Sequence, residues 1–275
     1  MTEKILLVDK KEGVARVTLN RPDSLNALSS ALLVEICTAF EELAGDDEIR
    51  VAILTGAGRA FSVGVDLKEF SSGGSSDVSD VSDVSDGEEG HAATGRNTAD
   101  RLVEAFEGFR YPIIGAINGF AITGGFELAL MSDILIASTN ARFADTHARV
   151  GIAPGWGLSQ RLPRMIGISR AKELHFTGNF LEAHQAERWG LVNRVVEPNA
   201  LLPVCEELAH DMLSCDPRTL RTYKRVVDDG YATSFGEGLR LESATSKEHL
   251  KSVTAQAVGA RRAEIQNRGR QQSKG

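Results

Sequence analysis

Residues 113–133 read IIGAINGFAITGGFELALMSD: a short apolar run, a glycine-broken turn and the opening of a helix. The run Ile113–Ile117, bounded by Pro112 and Gly119, predicts a strand covered on both faces. Phe126, Leu128, Ala129, Leu130 and Met131 predict a helix that is apolar almost all round and therefore buried. The first-turn N–H groups of such a helix need partners that bulk water does not supply, and an oxygen carrying or gaining negative charge is one. Gly124 and Gly125 have no Cβ to block a ligand approaching the backbone, and Glu127 follows within the first turn. The plainer reading of the same residues is a tight strand-to-helix turn with a Glu placed where helix starts favour it.

Working outward, residues 5–9 and 14–20 predict an N-terminal hairpin, followed by turn chemistry in RPDSLN (residues 21–26). Leu32, Leu33, Ile36, Phe40 and Leu43 keep a helical period up to Gly45, and residues 51–55 predict a covered strand. Strand, helix and strand in that order indicate an α/β layer architecture. A second glycine turn lies in FSVGVDLKEF (residues 61–70), where Gly64 lets Val65 present its N–H in an open turn. A helical period returns over residues 97–109. After the central helix come a strand at 134–137, an edge strand or extended loop at 142–147, the rigid turn GIAPGWG at 151–157, a helix and turn within 178–193, and a last short strand at 195–196. From Pro198 the pattern is all helical, dividing the chain into a core of 1–197 and a helical region of 198–275.

At 275 residues the chain buries roughly 75% of its unfolded surface, enough for a sizeable core. With 42% hydrophobic and 25% charged residues it has the composition of an ordinary soluble globular protein. A net charge of −7 argues against general nucleic-acid binding. No apolar run reaches membrane-spanning length, and MTEKILLVDKKEG has no signal-peptide pattern, so a cytoplasmic protein is expected. Cys37, Cys205 and Cys215 are widely spaced and outside any CxxC pattern, and the six histidines lack metal-ligand spacing, so no disulfide framework and no metal site is expected. The turn at Gly56–Gly64 lacks both the GxGxxG of a dinucleotide fold and the GK[ST] of a phosphate loop. Residues 71–90, with VSD repeated three times, form a low-complexity acidic insertion without one Lys or Arg, expected as a solvated, mobile loop and, lying just after the first glycine turn, a candidate lid. Its carboxylate spacing does not match an EF-hand. The last 25 residues carry six basic residues against Glu264, either a solvated tail or a phosphate-binding rim.

Two glycine turns about sixty residues apart, each following a strand and leading to a helix, suit two backbone N–H groups aimed at one oxygen. FSVGVDLKEF, AINGFAITGGFELALMSD and FADTHARVGIAPGWGLSQRLPRMIG, in this order and spacing, resemble the crotonase (enoyl-CoA hydratase/isomerase) superfamily over nearly the whole chain. The resemblance implies an α/β fold, a crotonase-like spiral of repeated ββα units with a C-terminal helical region that trimerises, as a trimer or a dimer of trimers. It also implies an acyl-CoA ligand and no cofactor beyond the coenzyme A of the substrate. By position, Val65 and Gly124 are the oxyanion donors; Ser24, Leu25, Val63, Asp66 and Lys68 border the CoA; and Arg262 or Lys274 reaches a CoA phosphate.

The family's hydratases use two glutamates to add water across a 2-trans-enoyl-CoA. The first falls on Glu127, whereas the second falls on His147, with Asp145 as an alternative to it. Histidine exchanges protons near neutral pH, so the expected activity is enoyl-CoA hydration with Glu127 as principal acid/base. The missing second glutamate leaves an enoyl-CoA isomerase, another CoA-thioester lyase or hydrolase, or a non-catalytic acyl-CoA binder as alternatives, separated by product.

Overall fold

The computed structural model describes residues 4–66, 69 and 98–272. Lys68, Lys274 and the 71–90 insertion with its expected lid lie outside the described residues. The chain begins with the antiparallel hairpin β1 (Leu6–Lys11) and β2 (Val14–Leu19). Helix α1 (Ser30–Ala44) starts at Ser29, whose side chain accepts the Leu32 N–H at 3.2 Å. Then follow β3 (Val51–Gly56), β4 (Ala60–Ser62) and α2 (Thr98–Gly108). Phe40 of α1 stacks on Phe106 of α2 with ring centroids 4.0 Å apart.

Next, β5 (Ile113–Ile117), β6 (Phe120–Ile122) and α3 (Gly124–Ala129) repeat the strand–strand–helix order. So do β7 (Ile134–Ser138), β8 (Arg142–Ala144) and the one-turn α4 (His147–Val150). Among the described residues the first strand of each repeat enters one sheet, ordered β1-β2-β3-β5-β7-β10, where β10 is Arg194–Val196. The second strand enters another, ordered β4-β6-β8-β9, where β9 is Leu181–Glu182. Each repeat thus turns a corner between sheets, and the corners need glycine. A Cβ on Gly119 would lie 2.0 Å from the Arg59 carbonyl oxygen. The expected spiral of ββα units is this architecture.

The large sheet is parallel from β2 to β10 and covered on both faces, which is why its strands read as continuous apolar runs. Alternate residues part company: Ala52 and Leu54 pack toward the α1 and α2 side, while Val51 and Ile53 pack with Leu201, Cys205 and Ala209 of α8 (Leu201–Leu213). Because α8 completes the core, the compact units divide at Met1–Pro217 and Arg218–Gly275, twenty residues beyond the break in sequence pattern at 197/198. Between β8 and β10 lie α5 (Leu158–Ile166), α6 (Ile168–Thr177) and α7 (Ala183–Trp189). The first two fill a stretch that the sequence reading leaves unassigned. The C-terminal unit is helical, with α9 (Pro217–Tyr231), α10 (Phe235–Leu250) and α11 (Ala255–Gln272). A capping box of Ser234 and Glu237 starts α10.

Candidate active site

The two glycine turns meet. Leu28 N–H donates to the Gly64 carbonyl at 2.8 Å and Asp66 N–H donates to the Leu28 carbonyl at 3.1 Å, forming a parallel bridge with Val65 between them. In that pattern the Val65 N–H points away from Leu28. Gly64 has φ +88°, and a Cβ there would lie 2.9 Å from the Ile122 carbonyl oxygen and 3.0 Å from Gly124 N. A Cβ on Gly124 would in turn lie 3.6 Å from Val65 N and 3.3 Å from Trp156 Cζ3. The Val65 and Gly124 N–H groups are therefore brought to one place, and neither donates to another described residue.

Backbone strain holds the second turn. Thr123, immediately before Gly124, sits at φ 52°, ψ −113°, a region costing on the order of 1–3 kcal/mol for a residue with a side chain. Its bonds offset that cost: Thr123 N–H donates to Ala144 O at 2.8 Å, Glu127 N–H donates to Thr123 O at 2.9 Å, and its hydroxyl pairs with that of Thr146 at 2.5 Å. One residue thus ties the glycine turn to the segment leading to His147. The helix it opens ends at Ala129, with Leu130 at its cap, shorter than the apolar pattern through Met131 suggests.

Glu127 is 3% exposed. Its Oε1 accepts the Trp156 N–H at 2.8 Å and the Leu158 N–H at 3.4 Å. The other oxygen, Oε2, faces His147 Nε2 at 3.5 Å. Burial raises the Glu127 pKa above its ordinary value; the two N–H donors and His147 offset part of that rise, and the Asp145 carboxylate adds to it. Trp156 and Leu158 belong to no element of the sequence-based site, although GIAPGWG marks the rigid turn that supplies the Trp156 N–H.

The segment expected as an edge strand or extended loop over 142–147 is a strand only in its first half. The strand ends at Ala144 and the chain turns into α4 at His147. Asp145 Oδ1 takes the His147 N–H at 3.0 Å and stands 2.7 Å from His147 Nδ1, while Oδ2 stands 2.6 Å from His175 Nδ1 of α6. Burial acts to raise the Asp145 pKa, but the bonds from His147 and His175 outweigh it and hold the carboxyl well below the usual carboxylate range. An ionised carboxylate only accepts, so both histidines donate through Nδ1, and a neutral His147 presents the Nε2 lone pair to Glu127. His175 enters the site unannounced by any spacing in the sequence.

At the edge of the first turn, Val63 N–H donates to the Leu25 carbonyl at 3.2 Å, so the RPDSLN loop and the glycine turn are adjacent as expected. Ser24 and Leu25 are half-buried, and Leu25 has φ 52°. Asp66 is buried with its carboxylate on Arg21 at 3.0 Å, an ion pair that joins the first glycine turn to the RPDSLN loop. Arg262 is exposed on α11. Among the described residues no group of three or more His, Cys, Asp or Glu side chains is arranged to hold a metal ion, and no helix is long and apolar enough to cross a membrane.

Two backbone N–H groups beside a buried Glu–His pair thus lie on a spiral of ββα repeats. The family profile described as enoyl-CoA hydratase/isomerase matches residues 9–264, and the chain belongs to that family. A probable peroxisomal enoyl-CoA hydratase 1 of Arabidopsis thaliana is 39% identical over 98% of this chain and 96% of its own length. The short-chain-enoyl-CoA hydratase of Clostridium acetobutylicum is 38% identical over 86% of each. Among solved structures, an enoyl-CoA hydratase from Bacillus anthracis superposes with a TM-score of 0.82 at 32% identity, covering 96% of this chain and 97% of that one.

Proposed function

We propose that this protein hydrates a 2-trans-enoyl-CoA to a 3-hydroxyacyl-CoA, with Glu127 and His147 as the acid–base pair and the Val65 and Gly124 N–H groups as the oxyanion hole. The observation that carries the reading is the 3.5 Å approach of His147 Nε2 to Glu127 Oε2 beside the Gly124 turn. That separation is long for a direct hydrogen bond and lets one water contact both atoms.

The thioester carbonyl accepts from Val65 and Gly124. His147 Nε2 takes a proton from the water as its oxygen bonds to Cβ. The electron pair of the double bond moves toward Cα and the carbonyl oxygen, where the two N–H groups stabilise the growing charge; removing one such donor elsewhere costs about 3–4 kcal/mol. Glu127, whose carboxyl is favoured in its protonated form by burial, delivers its proton to Cα. A proton then passes from imidazolium to carboxylate and resets the pair, so water supplies all the atoms added.

The reaction needs no cofactor beyond the coenzyme A of the substrate. Ser24, Leu25 and Val63 are the edge along which we place the CoA chain, and Lys68 is a candidate cation for it. Asp66 serves that edge through Arg21. Self-association as a trimer or dimer of trimers is supported by exposed Tyr223, Val227 and Tyr231, spaced by fours along α9, and by Phe235 at 83% exposure. A cytoplasmic location is supported by cysteines that are all free. Product analysis tests the activity: crotonyl-CoA incubated with the protein yields 3-hydroxybutyryl-CoA by mass, whereas a shifted double bond or free CoA would replace this reading with an isomerase or a thioesterase.

A further inference from the structure

His175 has no part in the chemistry described above, yet its ring reaches the same carboxylate as His147. Asp145 receives an Nδ1–H on each oxygen, at 2.7 Å from His147 and 2.6 Å from His175. The two donors come from different helices, α4 and α6, and bond different oxygens of the carboxylate. The backbone N–H of His147 adds a third bond, to Oδ1.

His175 Nε2 is buried and has no hydrogen-bond partner among the described residues. A histidine chosen for packing alone would leave two buried nitrogens to satisfy. This one satisfies only the nitrogen that faces Asp145, so the bond to the carboxylate is the polar function the residue performs. A carboxylate bonded to a single imidazole can rotate about its side-chain torsions. Two donors, one on each oxygen, fix its plane and favour its ionised form.

Resting on the hydratase reading, we propose that Asp145 and His175 are positioning residues that hold His147 as its Nδ1–H tautomer with Nε2 directed at Glu127, making the Glu127–His147 site competent without a second carboxylate in contact with substrate. His175 acts only through Asp145 and His147.

The test is a kinetic cycle with crotonyl-CoA on the full chain. His175→Leu keeps bulk and loses the donor. A lost hydrogen bond to a charged group corresponds to roughly a tenfold to hundredfold fall in kcat, and KM is expected to stay within about twofold. His175→Asn places an amide N–H near the former Nδ1 and is expected to recover kcat to within about fivefold of wild type. In a His147→Ala background, His175→Leu is expected to have no further effect on kcat. Unchanged kcat in His175→Leu, failure of His175→Asn to recover it, or full additivity with His147→Ala would each overturn the proposal. If His175→Leu does not fold, ¹⁵N-histidine NMR of the wild-type protein decides: His147 protonated on Nδ1 supports the proposal, and the Nε2–H tautomer contradicts it. Absence of hydration by the wild-type protein would instead remove the hydratase reading, a separate outcome.

Discussion

Glu127 Oε2 and His147 Nε2 face each other at 3.5 Å, and each is held from behind. Backbone N–H groups of Trp156 and Leu158 bind the far oxygen of the glutamate, and Asp145 binds the far nitrogen of the histidine. Neither reacting atom is left to choose its own orientation. This preorganisation is what the proposed acid–base role of the pair requires.

Gly124 and Gly125 separate chemistry from folding. A Cβ on Gly125 would lie 2.2 Å from the Ser62 carbonyl oxygen, a backbone clash, so Gly125→Ala is expected to destabilise the protein by about 3 kcal/mol or more, seen as a large fall in Tm. On Gly124 the nearest atom to a Cβ is the rim of Trp156 at 3.3 Å, with Val65 N at 3.6 Å. Gly124→Ala is expected to keep most of its stability and lose about 10²-fold in kcat, because the methyl group stands where the thioester oxygen must approach. Equal losses of Tm in the two variants would contradict the assignment of the oxyanion turn.

Thr123 couples the two halves of the site through its hydroxyl. Thr123→Val keeps shape and removes the bonds to Thr146, with an expected stability loss of about 1–2 kcal/mol by denaturant unfolding. A fall in kcat should accompany it, since the Gly124 turn then loses its tie to the His147 segment. Full activity with reduced stability would confine Thr123 to the fold.

Glu127 and Asp145 carry opposite pH signatures. The folded state raises the Glu127 pKa, so its contribution to stability is fully present below the unfolded value and is lost as pH rises through the folded one. Glu127→Gln is therefore expected to raise Tm at pH 8 relative to wild type, with the gain vanishing near pH 4. Asp145 is held low, so its contribution is present above the unfolded carboxylate value of about 3.9 and is lost as pH falls toward the folded one. Asp145→Asn is expected to lower Tm at pH 7 and to converge on wild type in strong acid. Scanning calorimetry across this range checks both, and parallel Tm curves for wild type and variants would contradict the burial argument.

The long apolar strands β3, β5 and β7 could be read from the sequence because a sheet covered on both faces leaves an unbroken hydrophobic run. The second sheet could not. Its strands β4, β6, β8 and β9 are two or three residues long, too short to show a clear period; β4 and β6 fall within stretches that read as glycine turns, β9 within a helix-and-turn stretch, and β8 alone lies in a segment, 142–147, that reads as an edge strand or extended loop. Helices α5 and α6 are not legible because Pro163 lies inside the first and the second buries only Ala171 and Leu174, too few for an apolar stripe. The core also runs on to Pro217, since helix α8 has the same local pattern as the helices after it and only tertiary packing assigns it to the sheet.

At the site, Glu127 was legible from its place three residues after Gly124, a distance fixed by helix geometry. His147 and Asp145 were legible as residues but not as a pair bonded to each other, because the turn after Ala144 is tied, at Ala144 and Thr146, to Thr123 of another repeat. His175 lies 28 residues beyond His147 on a different helix, a relationship that only the folded chain reveals.

The central claim is that Glu127 and His147 together move the protons of hydration. The most direct measurement follows the conjugated enoyl-thioester absorbance of crotonyl-CoA for wild type, Glu127→Gln and His147→Ala, with products identified by mass and binding of a saturated acyl-CoA measured alongside. The account predicts hydration by wild type and a loss of about 10²–10⁴-fold in kcat in each variant with acyl-CoA binding retained. Undiminished turnover in either variant would contradict it.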